Sequence, residues 1–433
     1  MSQTCSAQAI VAAVEPPRPF AAVEAPIEVL REIVRRCGTP TYAYDINRVH
    51  AQVAKLRTHF PAAVDILYSL KANASLGLCG VLAECGLGAD VASAGELAIA
   101  LAAGFPKERI FLTGPDRSPP VLARLRQMPE IVVSIDSVSE LHVLHRHGLR
   151  NRAIVRLRPD FSSYATCSAG PDSRFGLTWE DLPSCRDVLA KSGLNVIGFH
   201  VFSGSQILAT EGIIHHLRGG VNLALRAAEV LGVKPEFIDL GGGLGVPYAP
   251  EDREVDLSVI GAELNALASR AAPAQLVLEL GRYPVAQAGW YLTTVLANQA
   301  HRGRKAVVVD GGTHQRGDMC GLGLRHKGFA PVIIHGDSSA AWHNGELIPT
   351  DILGCLSLPG DVMVENRLMP PLAPGDVLAF PNAGAYGLAA SPWLFHAHPA
   401  PAEAAFDGTR VHLLRPRRSP ESILEGQTSL HLP

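Results

Sequence analysis

Between residues 64 and 282 the chain alternates short apolar, β-branched runs with longer stretches of helical character. The runs are Val64–Lys71, Gly88–Ser93, Arg109–Thr113, Ile131–Asp136, Ala153–Arg158, Asn195–Ser203, Glu236–Leu240 and Gln275–Leu280. Mostly apolar runs of this length predict strands buried on both faces. Gly95–Ala103, Pro120–Gln127, Val138–His147, Trp179–Lys191, Ile213–Leu231 and Leu257–Arg270 read as helices between them. Ser137 ahead of Val138 and Glu140 marks one helix start. Eight strand–helix units predict an α/β fold, a closed (β/α)8 TIM barrel; six or seven would leave an open sheet.

After about residue 285 the rhythm changes. Val285–Ala297, Lys305–Asp310, Pro331–His335, Leu347–Leu353 and Asp376–Phe380 predict strands without long helices between them. Pro-Gly-Asp turns at 359–361 and 374–376 separate several of these. An antiparallel β-sandwich or barrel is expected. The expected organisation is a disordered segment at 1–19, a barrel at 45–285, a β domain from 20–44 plus 286–418, and a flexible tail at 419–433.

A length of 433 residues is too great for one small core. The net charge of −3 leaves no basic footprint for nucleic acid or an anionic membrane. No apolar run reaches transmembrane length, and Met1–Val14 lacks the positive start of a signal peptide. The expected location is the cytoplasm. The cysteines (Cys5, Cys37, Cys79, Cys85, Cys167, Cys185, Cys320 and Cys355) form no C-x-x-C pair, so neither a zinc site nor a disulfide framework is expected. His396 and His398 lack an evident third ligand, so a domain-interface role is expected and no metal. His145, His147, His215 and His216 read as solvated helix positions.

In a (β/α)8 barrel the functional groups gather where the strands end. The first strand ends in Ser69-Leu-Lys71-Ala-Asn73. A lysine there either snorkels to water or, with its pKa lowered by burial and neighbouring charge, is an amine suited to a Schiff base. Other strands end in Asp90, in Arg158, in His200-Val-Phe202-Ser-Gly204-Ser205, in Gly241-Gly242-Gly243, and in Glu279-Leu-Gly281-Arg282. Three glycines after a strand form either a tight turn or a cradle of N–H groups for phosphate. Arg282 and Ser205, from adjacent strands, would reinforce an anion site. Glu279 either pairs with a barrel arginine such as Arg158 or faces a pyridine nitrogen and keeps it protonated.

Taken in order, eight motifs resemble those of the fold-type III pyridoxal phosphate decarboxylases, the group of diaminopimelate, ornithine and arginine decarboxylases. They are Tyr68-Ser-Leu-Lys71-Ala-Asn73, Ala89-Asp90-Val-Ala-Ser93-Ala-Gly-Glu96, Arg174-Phe-Gly176, His200 to Gln206, Asp239 to Gly243, Glu279-Leu-Gly281-Arg282, Gly354-Cys355 and Gly384-Ala-Tyr386-Gly387. The resemblance runs from about Thr39 to about Glu403. It implies decarboxylation of a small amino acid or amino-acid conjugate with pyridoxal 5′-phosphate as cofactor. Lys71 would carry the cofactor's aldehyde and Asp90 would support it. Gly241, Gly242, Gly243, Ser205, Arg282 and Tyr386 would hold the phosphate, and Glu279 would pair with the ring nitrogen. Arg158, His200, Phe202 and Gly281 would complete the surroundings. Cys355 would reach across a homodimer interface and return a proton after CO2 leaves, giving shared active sites.

The chain also departs from that pattern. Phe202 stands where the family usually stacks a histidine on the ring, and His200 lies two residues before it on the same strand face. Leu356 replaces the acidic residue that diaminopimelate and ornithine enzymes carry after the cysteine. The distal-carboxylate Arg and Tyr have no counterpart in Asp310 to Arg316. These changes point to the specialised-metabolism branch, which acts on amino-acid units in siderophores or on carrier proteins. The alternatives are a diaminopimelate decarboxylase and an amino-acid racemase of the same fold. Glu279 and Cys355 speak against the racemase. A non-catalytic regulator is disfavoured by retention of Lys71, Gly241–Gly243, Arg282 and Cys355.

Overall fold

The computed structural model describes residues 24–162, 164–165, 167–168, 170–317, 331–334 and 347–430; the expected disordered segment 1–19 and residues 431–433 of the expected tail lie outside the described residues. The expected parallel strands close into one barrel. Its order is Phe237–Asp239, Gln275–Leu280, Val64–Ser69, Gly88–Val91, Ile110–Leu112, Val132–Ile135, Arg152–Leu157 and Asn195–Val201. An open sheet is excluded, because Asn195–Val201 pairs with both Arg152–Leu157 and Phe237–Asp239. Helices cover the outside. Two of them, Ala94–Ala102 and Val138–Arg146, begin on the Ser93 and Ser137 hydroxyls, which accept from the Glu96 and Glu140 N–H groups.

Strand alternation sorts the lumen into layers. Leu67, Phe111, Val132, Ile154, Ile197 and Val277 pack together as an apolar floor. Gly88 completes it without a side chain, since a Cβ there would lie 2.3 Å from a Leu67 methyl. Two residues further along the strands come Ser69, Asp90, Thr113, Ser134, Arg156, Asp239 and Glu279. Two further still are Lys71, Arg158, Gly241 and Gly281, at the mouth. Asn195–Val201 keeps step only through a bulge. Ala153 pairs with Val196 and Ile154 with Gly198, so Ile197 is an extra residue. The bulge turns His200 and Phe202 inward, while Phe199 and Val201 join the outer core.

Nine of the other strands form a mostly antiparallel sheet, and Cys167–Ser168 pairs separately with Gly204–Ser205. Thr41–Asp45 lies within it, antiparallel to Gly289–His301 and parallel to Ala402–Asp407. The strand expected from Val285 begins later, because Arg282–Val285 is a helical turn and Ala286–Ala288 a 3-10 turn. Val362–Met369, Ala402–Asp407 and Arg410–Arg415 are strands that the turn pattern did not announce. Beyond them Pro420–Leu424 makes a 3-10 turn. No described helix is long and apolar enough to cross a membrane.

His216 corrects the reading of the helix histidines as solvated. It is buried on the helix Thr210–Leu231, with Nδ1 2.6 Å from Ser203 Oγ and Nε2 2.6 Å from the Leu240 carbonyl oxygen. A neutral ring serves both: Nε2–H donates to the carbonyl while Nδ1 accepts from the hydroxyl. Burial pushes its pKa from 6.5 down to about 4, against the Leu240 hydrogen bond. The unfolded chain therefore binds this proton first as pH falls. Stability should drop from about pH 6.5 toward about pH 4, by up to about 1.4 kcal/mol per pH unit for this group. His200, also depressed, acts in the same direction. The thermal midpoint of His216→Gln should fall less steeply over that window than that of the native chain, and equal slopes would refute the linkage.

Candidate active site

Val64–Ser69 runs into a 3-10 turn, Leu70–Ala72, which carries Lys71 to the barrel mouth. Two bonds from the β domain hold this turn. Tyr386 N–H donates to the Ala72 carbonyl at 2.7 Å, and Asn73 Nδ2 donates to the Gly384 carbonyl at 2.9 Å. Lys71 Nζ donates to Asp90 Oδ2 at 2.8 Å, and the Thr113 hydroxyl donates to the other Asp90 oxygen. Asp90 is buried, whereas the lysine side chain is about half exposed. Desolvation pulls the Lys71 pKa down, but the charges of Asp90, Glu279 and Tyr386 together outweigh it and raise the pKa above the usual lysine value. This corrects the expectation of a lowered pKa. The lysine rests as an ammonium, and its charge in turn lowers the Asp90 pKa against the effect of burial.

Behind this pair, His200, Asp239 and Glu279 bring donor atoms within 4.8 Å of one another, all buried. His200 Nδ1 lies 3.1 Å from Ser134 Oγ, and its Nε2 lies 3.8 Å from Glu279 Oε2. Burial, then the charges of Arg156 and Lys71, drive the His200 pKa far below 6.5. The contact with Glu279 therefore involves a neutral imidazole and is no ion pair. Burial, followed by Asp239 and Asp90, raises the Glu279 pKa well above the carboxylate range. Burial also pushes Asp239 up to about 7, although its Oδ1 accepts from Gly241 N–H at 2.8 Å. Among the described residues no ion pair joins Glu279 to Arg158, whose Nη2 donates to the Gly176 carbonyl at 3.3 Å.

The chain leaving Phe237–Asp239 runs through Gly241, Gly242 and Gly243. Gly241 and Gly243 have φ of 62° and 130°, which side chains disfavour. A Cβ on Gly242 would lie 2.3 Å from the Glu279 carbonyl oxygen, and one on Gly241 would lie 2.7 Å from the Phe202 ring. Arg282 is buried. Its Nη1 donates to the Tyr248 hydroxyl at 2.8 Å, and its guanidinium sits 4.6 Å from the centre of the Tyr386 ring.

Lys71, Phe202, Ser205, Gly242, Gly243, Glu279, Gly281, Arg282 and Tyr386 line one cleft. Asp90, His200 and Gly241 contact that lining without facing the cleft, and Arg158 stands aside from it. Ser134 and Tyr248 also bear on the site, although the sequence reading did not single them out, and Arg156, on the same strand end as Arg158, adds its charge beside His200. The two-residue strand period could have found Ser134. Cys355 does not line this cleft in its own chain. Its Sγ lies 3.5 Å from the Asp310 carbonyl oxygen and 3.8 Å from His398 Nε2, and burial and Asp361 push the thiol up to about 11.

The cofactor implied by the motifs fits this cleft. Glu279 Oε1, Asp239 Oδ2 and His200 Nε2 are buried without a hydrogen-bond partner among the described residues. A protonated ring nitrogen would answer the Glu279 oxygen, the one of the three that lines the cleft. Backbone without side chains at Gly242 and Gly243, together with the Arg282 cation, suits a phosphate.

The comparisons with known proteins agree. The family model described as "Pyridoxal-dependent decarboxylase, pyridoxal binding domain" matches residues 46–286. L-glutamyl-[BtrI acyl-carrier protein] decarboxylase of Niallia circulans is 33% identical over 410 residues, spanning 91% of this chain and 95% of that protein. Diaminopimelate decarboxylase of Methanothermobacter thermautotrophicus is 30% identical over 411 residues, spanning 92% and 93%. The crystal structure of diaminopimelate decarboxylase from Helicobacter pylori complexed with L-lysine has a TM-score of 0.80 at 25% identity, covering 92% of this chain and 98% of that one. Barrel, cleft and kinship converge: the chain belongs to the pyridoxal-dependent decarboxylases and is an amino-acid decarboxylase that works with pyridoxal phosphate.

Proposed function

We propose that this decarboxylase removes the α-carboxylate of an amino-acid unit held in a larger conjugate, with a carrier-protein thioester as the preferred form. The observation that carries this reading is Leu356, beside Cys355, in place of an acid that would read a free distal amine. The likeness to a relative named for a carrier-bound glutamyl unit supports it. Specialised metabolism, including siderophore assembly, is the setting that suits such a substrate.

Bound pyridoxal phosphate supplies the sink for the electron pair released with CO2. The chain's own residues do the remaining work. Gly242, Gly243, Ser205, Arg282 and Tyr386 would hold the phosphate, with Gly241 shaping the turn behind them. Lys71 would take the aldehyde, and Asp90, 2.8 Å away, orients the amine and is its nearest proton acceptor. Glu279, backed by Asp239 and His200, would hold a proton at the ring nitrogen, and Phe202, which lines the same cleft, would contact the ring. Cys355 of the partner subunit returns a proton to the carbon that lost CO2.

Purified enzyme should release CO2 from a glutamyl unit thioesterified through its side-chain carboxyl, which leaves the α-carboxylate free, with kcat/KM about 100-fold or more above that for the free amino acid, because remote binding contributes to orientation. Preferential turnover of free diaminopimelate would overturn the reading. The shared site has its own test. Cys355→Ala and Lys71→Ala variants, each inactive alone, should regain about a quarter of native activity when unfolded and reassembled at equal amounts, since half the dimers are then mixed and each holds one intact site. No recovery in verified mixed dimers would place Cys355 outside the partner's cleft.

A further inference from the structure

We propose that His314, Cys355 and His398 form a binding site for a divalent transition metal of the zinc class. Their donor atoms all lie within 4.8 Å of one another. Cys355 Sγ and His398 Nε2 are 3.8 Å apart, and the His314 and His398 ring centres are 4.7 Å apart. A tetrahedral zinc, with bonds of about 2.3 Å to sulfur and about 2.0 Å to nitrogen, needs these donors about 3.6 Å apart. Small rotamer changes bring the set to that geometry.

The second observation is His314 itself. It is 1% exposed, and neither ring nitrogen has a hydrogen-bond partner among the described residues. A buried imidazole left unsatisfied on both sides is costly, and a metal bond relieves that cost at one nitrogen. The surroundings are built to hold the set. Asp361 is buried and accepts from Thr313 N–H at 2.8 Å, Thr313 Oγ1 at 2.7 Å and Leu356 N–H at 2.9 Å. One carboxylate thereby fixes the neighbour of His314 and the neighbour of Cys355. His396 and Ala397 both take left-handed φ, 57° and 56°, and turn the chain so that His398 meets the other two.

Two imidazoles and a thiolate select zinc, cobalt or nickel over magnesium and calcium. On binding, the metal–sulfur bond forms as Cys355 releases its thiol proton to solvent, with no change of oxidation state. The fourth position is left to water. The metal therefore occupies the thiol that the proposed reaction uses as a proton donor, so binding would inhibit turnover; only this consequence rests on that reading.

Cobalt(II) titrated into the full-length holoenzyme should give the visible bands of a tetrahedral complex at one equivalent per chain, with zinc displacing it. Cys355→Ser should lose the sulfur-to-cobalt charge-transfer band. His314→Ala and His398→Ala should each weaken binding by about 100-fold or more. No bands at millimolar cobalt, or titrations unchanged in both histidine variants, overturn the site. Bands without inhibition support the site and would remove Cys355 from the catalytic reading.

Discussion

Lys71→Ala should yield a folded protein that borohydride cannot fix to its cofactor. The native chain should instead keep the cofactor on the peptide containing Tyr68 to Asn73. The basis is geometric: among the residues lining the cleft, Lys71 is the one with a primary amine. Turnover should fall by at least about 10³-fold, because the attachment point and a proton-transfer group go together. A residual adduct on another lysine, with activity retained, would overthrow the assignment. Asp90 is the immediate partner, so Asp90→Asn should lower the Lys71 pKa yet slow cofactor capture through lost orientation.

Glu279→Gln carries the next largest expected loss, about 10² to 10³ in kcat with cofactor content unchanged. The amide keeps the shape but has no ionisable proton to share with the ring nitrogen. The buried neighbours, Asp239 at about 7 and a neutral His200, do not stand in for it, because only Glu279 of the three lines the cleft. Glu279→Asp should recover part of the rate. A Gln variant within about twofold of native would mean that the ring nitrogen is served by another group.

Much of this site was legible in the chain. A buried parallel strand is a short apolar run, so the polar residue that ends it stands out, as Lys71, Asp90 and Glu279 do. Other features depend on tertiary context. The extra residue at Ile197 decides whether His200 or Phe199 faces the lumen, and no side chain there announces a bulge. Ala402–Asp407 has few strand-forming side chains yet is a strand because it pairs on both edges, with Thr41–Asp45 and with Arg410–Arg415. The Leu76–Glu84 helix contains two glycines and shows little amphipathic contrast, so its period is weak. His314, Cys355 and His398 come from separate turns, and no linear spacing joins them.

The placement of Thr41–Asp45 ties biosynthesis to architecture. Its partners are Gly289–Leu292 on one edge and Ala402–Phe406 on the other. Thr41–Asp45 therefore leaves the ribosome before the barrel strands and waits for residues 402–406, which follow them. A nascent chain halted before residue 402 would carry an open, adhesive edge, and a neighbouring molecule could fill it. The two segments thus act as a clasp, and premature termination threatens solubility even where every catalytic group has already been made.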